Sequence, residues 1–402
     1  DNPTVGWVVA ATLVLAAALG IGRFAYTPLL PDMVALYHWQ FAQAGDVASA
    51  NFLGYMVGAM LAARVAQHPQ LRLWVAASLM ASALTTVAGA WASTFPVWLL
   101  VRFLSGVASA FCLVLVTTQL IYVLANERAE RLGNVHFAGV GLGIVLCMVI
   151  VYQPATVPLH WQHLGGCAAL LMLVAWLLLS GDPIESGWSA SAPASAAPDA
   201  AAADHGTNGI ALWRVVLGYG MFGYGYVVAA TFLVAMAEVV QAELVQAEQV
   251  SQQTAFIALD TKSVWLVVGL ALIPSVYVWQ WWANKHGIYH ALRIAYVVEC
   301  VGLVLAGLSQ SYLWLMVAAV LLGGTFAAIT ALGISAARYA APERIAYAVS
   351  AMTTAFAFGQ LLGPAVSGRL ADYFGDFFWA SISAGMLLLL AAALLRPNLA
   401  RR

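Results

Sequence analysis

Long uninterrupted runs of apolar residues are the feature that most limits how this chain can fold. A helix needs about 20 apolar residues to cross the ~30 Å hydrocarbon core of a bilayer, and the sequence contains twelve segments of roughly that length. They lie near 5–31, 45–66, 72–92, 96–125, 132–153, 161–180, 211–238, 262–283, 289–309, 312–336, 345–370 and 376–396. Because they stay apolar instead of alternating with period two, they indicate transmembrane helices and exclude a barrel.

The composition excludes most water-soluble functions. Only 8% of the 402 residues are Asp, Glu, Lys or Arg, whereas soluble domains carry about 25%. The formal net charge is −1 and there is no basic tract, which argues against a nucleic-acid partner. The sequence therefore predicts an all-α polytopic protein of twelve transmembrane helices, with the lipid bilayer as its surroundings.

The positions of Lys and Arg predict the orientation, because cytoplasmic loops retain positive charge. With the N-terminus inside, only Lys262 and Arg369 fall on the outer side. The inner side collects Arg64, Arg72, Arg128, Arg131, Arg214, Lys285, Arg293, Arg338, Arg344, Arg396, Arg401 and Arg402. We expect both termini in the cytoplasm and a bacterial inner-membrane location.

A stretch rich in Ala, Ser and Pro at 181–210 divides the twelve segments into two groups of six. Such a composition cannot bury a core and predicts a flexible cytoplasmic linker. We therefore expect one six-helix bundle at 1–180 and another at 211–402. The polar outer segment 238–261 predicts a short surface helix or a mobile loop.

The two halves also repeat weakly in sequence. Residues 20–33 align with residues 223–236, where two glycines, a leucine and a methionine coincide. Glu130-Arg131 precedes the fifth segment as Glu343-Arg344 precedes the eleventh. Six-helix halves repeated in this way are a recurring transporter design.

Several motifs resemble those of a known family. They are GIGRFAYTPLLPDM (20–33), GAMLAARVAQHPQLR (58–72), VRFLSGVASA (101–110), FAGVGLGIVL (137–146), GYGMFGYGYVVAATFL (218–233) and GRLADYFG (368–375). With the two groups of six segments, they resemble the major facilitator superfamily of secondary transporters, and its YbfB-type branch in particular. The resemblance implies two pseudo-symmetric bundles, with the first and fourth helices lining a central cavity. In 58–72, Ala62 and Ala63 replace the acidic residue usual in that motif.

Two arginines inside the predicted spans are the main candidates for substrate contact. A charge at the bilayer centre costs at least about 2.5–3.5 kcal/mol, so it tends to face a watery cavity or a partner. Arg23 and Arg102 fall at similar depth and could bind an anionic group. Snorkelling to the headgroups, or a hydrogen-bonding role between helices, are alternatives.

When the two halves are aligned, Tyr226 is the counterpart of Arg23. The second half therefore supplies aromatic and amide groups where the first has positive charge. The predicted substrate-binding residues are Arg23, Tyr26, Asn51, Tyr55, Arg102, Tyr226, Trp265 and Gln360.

A smaller set of residues are candidates for proton coupling or gating. Besides Arg102, these are His136 and Glu299. His136 could instead be an ordinary histidine at the membrane interface, and Glu299 a carboxyl with a structural role. Met56 and Met60 share a helix face and could suit a soft metal such as Cu(I), although no histidine or cysteine joins them at ligand spacing. We otherwise expect no metal site.

Two spacing patterns predict local helix geometry. Gly54/Gly58, Gly139/Gly143 and Gly359/Gly363 stand four residues apart, which allows close helix packing. Pro28 and Pro31 should break the first span near its outer end.

The sequence carries no nucleotide-binding or hydrolase motif. We therefore expect a secondary active transporter that needs no cofactor and is not an enzyme. It would move a small anionic or amphipathic organic molecule by alternating access, as a monomer coupled to protons or another ion. The alternatives are a copper transporter, a drug efflux pump of the same fold, and a membrane enzyme or receptor-like protein.

Overall fold

The computed structural model describes residues 3–66, 68–127, 132–179, 210–246 and 260–396. All the regular elements in these ranges are helical. They are α1 (Pro3–Leu15), a π-helical turn (Ala16–Ile21), α2 (Tyr26–Tyr37), α3 (Phe41–Val65), α4 (Leu71–Ala88), α5 (Phe95–Asn126), a 3-10 turn (Val135–Phe137), α6 (Ala138–Val151), α7 (Val157–Leu179), α8 (Leu212–Gln246), α9 (Ser263–His286), α10 (Ile288–Leu308), α11 (Tyr312–Gly323), α12 (Phe326–Ala340), a 3-10 turn (Pro342–Arg344), α13 (Ile345–Phe374) and α14 (Phe378–Leu394).

These elements confirm the twelve predicted spans. Among the described residues, ten stretches of helix are long and apolar enough to cross a membrane, and two shorter apolar helices bring the total to twelve. The first span combines α1, the π-helical turn and α2, and the tenth combines α11 and α12. The helix ends differ from the predicted ends by up to eight residues: α2 continues to Tyr37 instead of 31, and α8 to Gln246 instead of 238.

The predicted break in the first span occurs, but earlier than expected. Helix α2 continues through both Pro28 and Pro31, and the interruption is a turn at residues 22–25. A proline lacks an N–H, and its ring collides with the carbonyl four residues before it. For Pro28 that carbonyl belongs to Phe24, so the disruption lies one turn ahead of the proline.

The chain divides into two compact units, Asp1–Ala25 with Ala50–His205 and Tyr26–Ser49 with Gly206–Arg402. In the first unit, glycines bring helices into backbone contact, as predicted. A Cβ on Gly54 would collide with the Phe103 carbonyl of α5, and one on Gly139 with the Thr12 carbonyl of α1. Because Gly54 and Gly139 have no side chains, α3 packs closely on the backbone of α5, and α6 on that of α1.

In the second unit, side chains of the carboxyl-terminal helices hold the segment Tyr26–Ser49. Asp372 of α13 accepts hydrogen bonds from the N–H groups of Phe41 (2.9 Å) and Ala42 (2.7 Å), which caps the start of α3. Arg369 forms a bidentate pair with Asp46, with N–O distances of 2.7 and 3.0 Å. The segment is therefore fastened to α13 at two neighbouring places.

Several predictions concern residues outside the described ranges. They are most of the linker (181–209), the distal part of the outer segment (247–259), Glu130-Arg131, and the cations Arg128, Arg401 and Arg402. These stay predictions.

Candidate binding and proton sites in the two units

The interruption of the first span places Arg23 in a turn between two helices. Gly20, in the preceding π-helical turn, lies so close to α6 that an added Cβ would collide with Gly143 and the Val140 carbonyl. The chain therefore enters the turn pressed against α6. The helical hydrogen bonds that would serve the carbonyls of residues 22 and 23 are lost there, so other donors must satisfy them.

Arg102 supplies those donors. Its Nη1 donates to the Gly22 carbonyl and its Nη2 to the Arg23 carbonyl, each at 2.9 Å. The amide of Asn51 on α3 in turn donates to the Arg102 carbonyl at 2.9 Å. Arg102 is buried, and its planar fork ties α5 to the interrupted segment of the first span.

The Arg23 side chain has different surroundings, and its charge has no acidic partner among the described residues of its unit. Its guanidinium carbon lies 4.1 Å from the ring centroid of Tyr55 and 5.2 Å from that of Phe52. The residue is only 6% exposed, and its Nε and Nη2 have no hydrogen-bond partner among the described residues. Two aromatic faces thus support a buried cation that keeps N–H groups unused.

Acidic residues do not compensate Arg23 within its own unit. The only acidic side chain among the described residues of the first unit is Glu127. It follows α5 directly, 25 residues beyond Arg102, which is roughly 37 Å along a helix. Arg23 is therefore a desolvated positive charge with no counter-charge nearby among the described residues of this unit.

The second unit contains an aromatic cluster around Tyr226 of α8. The Tyr226 ring stacks with Phe326 at 5.5 Å and with Phe356 at 5.6 Å between ring centroids. The amide nitrogen of Gln360 donates to the Tyr226 hydroxyl. Gln360 is fully buried, and its Oε1 has no hydrogen-bond partner among the described residues. This cluster therefore combines flat apolar faces with one unused acceptor.

A small cavity lies beside the same cluster, and Glu299 is one of the residues that line it. The centre of a water molecule can move within about 10 Å³ of it, so the cavity can hold about one water. It is lined by Tyr226, Ala229, Ala230, Leu233, Trp265, Val268, Glu299, Leu322 and Phe326. Glu299 is buried and hydrogen-bonds to the Thr325 hydroxyl.

Three of the predicted residues have other surroundings. Tyr26 donates to the Ala44 carbonyl at 2.9 Å inside the second unit. His136 Nε2 lies 3.2 Å from the Thr117 hydroxyl of α5. Met60 is 55% exposed, so it and Met56 do not form an enclosed pocket. No group of three or more His, Cys, Asp or Glu that could hold a metal ion occurs in the described part of the chain.

The structure thus brings the predicted site residues together in two sets. Arg23, Asn51, Tyr55 and Arg102 meet in the first unit, and Tyr226, Trp265, Gln360 and Glu299 in the second. Sequence reasoning missed Phe52, Thr325, Phe326 and Phe356. Phe52 could have been found, because it lies three positions before Tyr55 and so shares its helix face.

The fold is that of a polytopic helical membrane protein, and its buried polar groups are typical of transport proteins. A family model described as "Uncharacterised MFS-type transporter YbfB" matches residues 15–396. The chain therefore belongs to this family of the major facilitator superfamily and is a transporter, not an enzyme.

Solved structures show the same fold. The chain is similar to the nucleoside transporter NupG, with a TM-score of 0.69, 16% identity, and 98% of this chain and 98% of that chain covered. It is similar to the xylose transporter XylE from E. coli in a partially occluded inward open conformation, with a TM-score of 0.70, 13% identity and coverage of 98% and 97%. A bacterial homolog of the human lysosomal transporter Spinster gives a TM-score of 0.60 at 15% identity, with coverage of 98% and 97%. No curated protein sequence matches the chain significantly.

Proposed function

We propose that this protein is a secondary active transporter for a small organic anion that carries an aromatic or apolar part. Transport occurs by alternating access and is driven by protons, in the bacterial inner membrane, with both termini cytoplasmic. The supporting observation is Arg23, a buried cation whose Nε and Nη2 have no hydrogen-bond partner among the described residues.

An organic anion satisfies Arg23 better than any other ligand class. Nε and one Nη of a guanidinium form the fork that binds a carboxylate through two parallel hydrogen bonds. The resulting pair removes an uncompensated charge from a desolvated site, which is where charge pairing is strongest. The rings of Tyr55 and Phe52 lie beside the guanidinium and favour a substrate with an apolar body next to its acid group.

Arg102 has a supporting role in this proposal. Two of its nitrogens are engaged by the Gly22 and Arg23 carbonyls, so it positions the Arg23 backbone and does not bind the substrate directly. From the sequence, both arginines were predicted to contact the substrate. We now assign that contact to Arg23 alone.

The second unit offers a different chemistry. The Tyr226 cluster provides flat aromatic faces, and Gln360 Oε1 is a fully buried acceptor with no hydrogen-bond partner among the described residues. By itself this cluster suits a ligand that has a ring and a hydrogen-bond donor.

Ligand-induced stabilisation tests the anion assignment. A ligand that binds only the folded protein raises its melting temperature in proportion to the logarithm of ligand concentration over Kd. The purified protein should be stabilised by aromatic monocarboxylates such as benzoate. Tetraphenylphosphonium, an aromatic cation, and Cu(I) should have no such effect. Arg23→Gln should abolish the stabilisation, whereas Arg338→Gln, which removes an exposed arginine, should retain it.

Two outcomes would contradict the proposal. One is that Arg23→Gln responds to the organic anions as strongly as the native protein does. The other is that cations or Cu(I) stabilise the protein while a panel of organic carboxylates, phosphates and sulfonates does not. In the second case, loss of the Cu(I) response in Met56→Leu would favour the soft-metal alternative.

A further inference from the structure

We propose that Glu299 and Thr325 form an exchangeable proton-binding site in the second unit, and that Glu299 carries a proton in the conformation described. The inference rests on the proposed function as a proton-driven transporter, because it names the group that would carry the coupled proton. It stands on three features of the site: the lack of counter-charge, the hydrogen-bond geometry at Thr325, and the adjoining cavity.

The nearest parts of the neighbouring helices offer Glu299 no positive charge. Helices α8, α9, α11, α12 and α14 all pack against α10. Where they border the cavity they present Tyr226, Trp265, Leu322 and Phe326, of which only the tyrosine is titratable. Neither α11 nor α14 contains a charged residue.

The charged residues of the other helices lie far along their axes. On α10 itself the nearest is Arg293, six positions before Glu299 and about 9 Å along the axis. On α12, Arg338 lies 13 positions after Thr325, or roughly 20 Å. Arg214 and Glu238 on α8 are each 12 positions from the cavity-lining tyrosine. An ionised Glu299 would therefore be a buried charge with no counter-charge near it on the described parts of these helices, so the neutral acid is favoured.

The hydrogen bonds of Thr325 lead to the same conclusion independently. The Thr325 hydroxyl lies 2.7 Å from the Leu321 carbonyl one turn earlier. A carbonyl oxygen can only accept, so in this contact the hydroxyl is the donor. A hydroxyl has a single proton to donate. With an ionised Glu299, this one proton could serve the Leu321 carbonyl or Glu299 Oε2 but not both, whereas a protonated Glu299 can donate to Thr325 Oγ1 and make both contacts hydrogen bonds. The geometry therefore fits a protonated Glu299 that donates to Thr325.

The same site has features that allow the proton to leave. Thr325 lies with Gly324 in the turn that interrupts the tenth span between α11 and α12. Trp279 of α9 donates to the Gly324 carbonyl at 2.8 Å and so holds the interruption in place. An interrupted helix can change its local hydrogen bonds more easily than a continuous one. The cavity beside Glu299 has room for about one water, a carrier to which the proton can pass.

Infrared spectroscopy of the full-length protein in lipid bilayers tests the site directly. A protonated carboxyl gives a C=O stretching band that an ionised carboxylate lacks. We expect such a band in the native protein, a shift of the band when folded protein is transferred to D₂O, and its loss at high pH. Glu299→Gln should remove the band. Glu343→Gln, which changes an exposed carboxyl, should leave it in place.

Variants of Thr325 test the hydrogen-bond assignment. Thr325→Val keeps the shape of the side chain but removes the acceptor, so the band should move to higher frequency. Thr325→Ser retains the hydroxyl, so its band should stay close to that of the native protein. These variants leave the carboxyl itself unchanged and therefore report on its partner.

The proposal is overturned if the band is present but does not shift in D₂O while the protein stays folded, because Glu299 is then a sealed structural acid. It is equally overturned if the native protein has no band that Glu299→Gln removes. Should Glu299→Gln fail to fold, the D₂O shift of the native protein and the Thr325 variants still decide the matter. No substrate is used, so failure of anion binding at Arg23 would leave these results unaffected.

Discussion

The two buried arginines of the first unit have different surroundings, and these define different tasks. Arg102 satisfies two carbonyls that the interrupted first span leaves without helical partners. Arg23 lies on two aromatic rings with Nε and Nη2 unused within the described chain. The Arg102 guanidinium therefore stabilises the backbone of the site, and the Arg23 guanidinium is available to a ligand.

Substitution of Arg102 by lysine tests this division at the residue scale. Lysine keeps the charge but cannot bridge both carbonyls as a planar fork does. We expect Arg102→Lys to lose about 1.5–3 kcal/mol of folding free energy, the value of one hydrogen bond to a charged donor. Thermal unfolding measures this loss, and Arg338→Lys is the control at an exposed position.

Arg102→Lys should also weaken anion binding by displacing the Arg23 backbone. The measurement is the Kd for the best-stabilising anion, well below the melting temperature of the variant. A variant that is less stable but binds the anion with native affinity would show that Arg102 is structural only. A variant of native stability would contradict the assigned hydrogen bonds.

The sequence identified both arginines but could not separate their roles. Their identification needed only residue type and depth, because a charge in hydrocarbon is costly wherever it lies. Their roles depend on where the first span is interrupted, and that point lies one turn before the position expected from Pro28. Glu299 likewise stood out by type, whereas its partner Thr325 was found only in three dimensions.

At the scale of elements, glycines set how closely the helices approach. A Cβ on Gly54 of α3 would collide with the Phe103 carbonyl of α5, while one on Gly166 of α7 would meet nothing within 4 Å. We expect Gly54→Ala to destabilise the protein by about 1–3 kcal/mol through overpacking. Gly166→Ala should be neutral or stabilise by up to about 1 kcal/mol, because alanine is the better helix former.

Thermal unfolding of the two glycine variants in the same detergent separates the cost of overpacking against α5 from the gain in helix propensity that alanine brings. Equal effects of Gly54→Ala and Gly166→Ala would contradict the close contact of α3 with α5. Because Gly54 directly precedes Tyr55, whose ring lies against the Arg23 guanidinium, Gly54→Ala should also reduce the anion response.

The sequence predicted the elements better than their interruptions. Runs of apolar residues identified all twelve spans, since length and hydropathy suffice for that purpose. Glycines spaced by four predicted the close helix contacts. The interruption at Gly324-Thr325 was missed, because the glycine pair before it is also compatible with a continuous helix. Only the tertiary contacts of Trp279 and Thr325 mark the position.

At the scale of the whole molecule, the two halves repeat in architecture but not in chemistry. The first unit contains two buried arginines, and its described residues include no acid other than Glu127. The second unit contains the buried Glu299 beside an aromatic cluster. The weak repeat predicted a duplicated plan, and the unequal placement of charge indicated that the halves serve different purposes. The family match establishes the transporter class, the solved structures show the same fold, and the substrate is a proposal from the charges.

Transport of a radiolabelled anion into proteoliposomes tests the central claim, that Arg23 binds the transported molecule, most directly. The anion is the one that stabilises the native protein best, and exchange is measured with the unlabelled anion inside the vesicles. Losing even one of the two charge-assisted hydrogen bonds, worth about 1.5–3 kcal/mol, should lower the exchange rate at sub-saturating anion by at least roughly ten- to hundredfold in Arg23→Gln. Arg338→Gln should exchange at the native rate. Native exchange by folded Arg23→Gln would contradict the account.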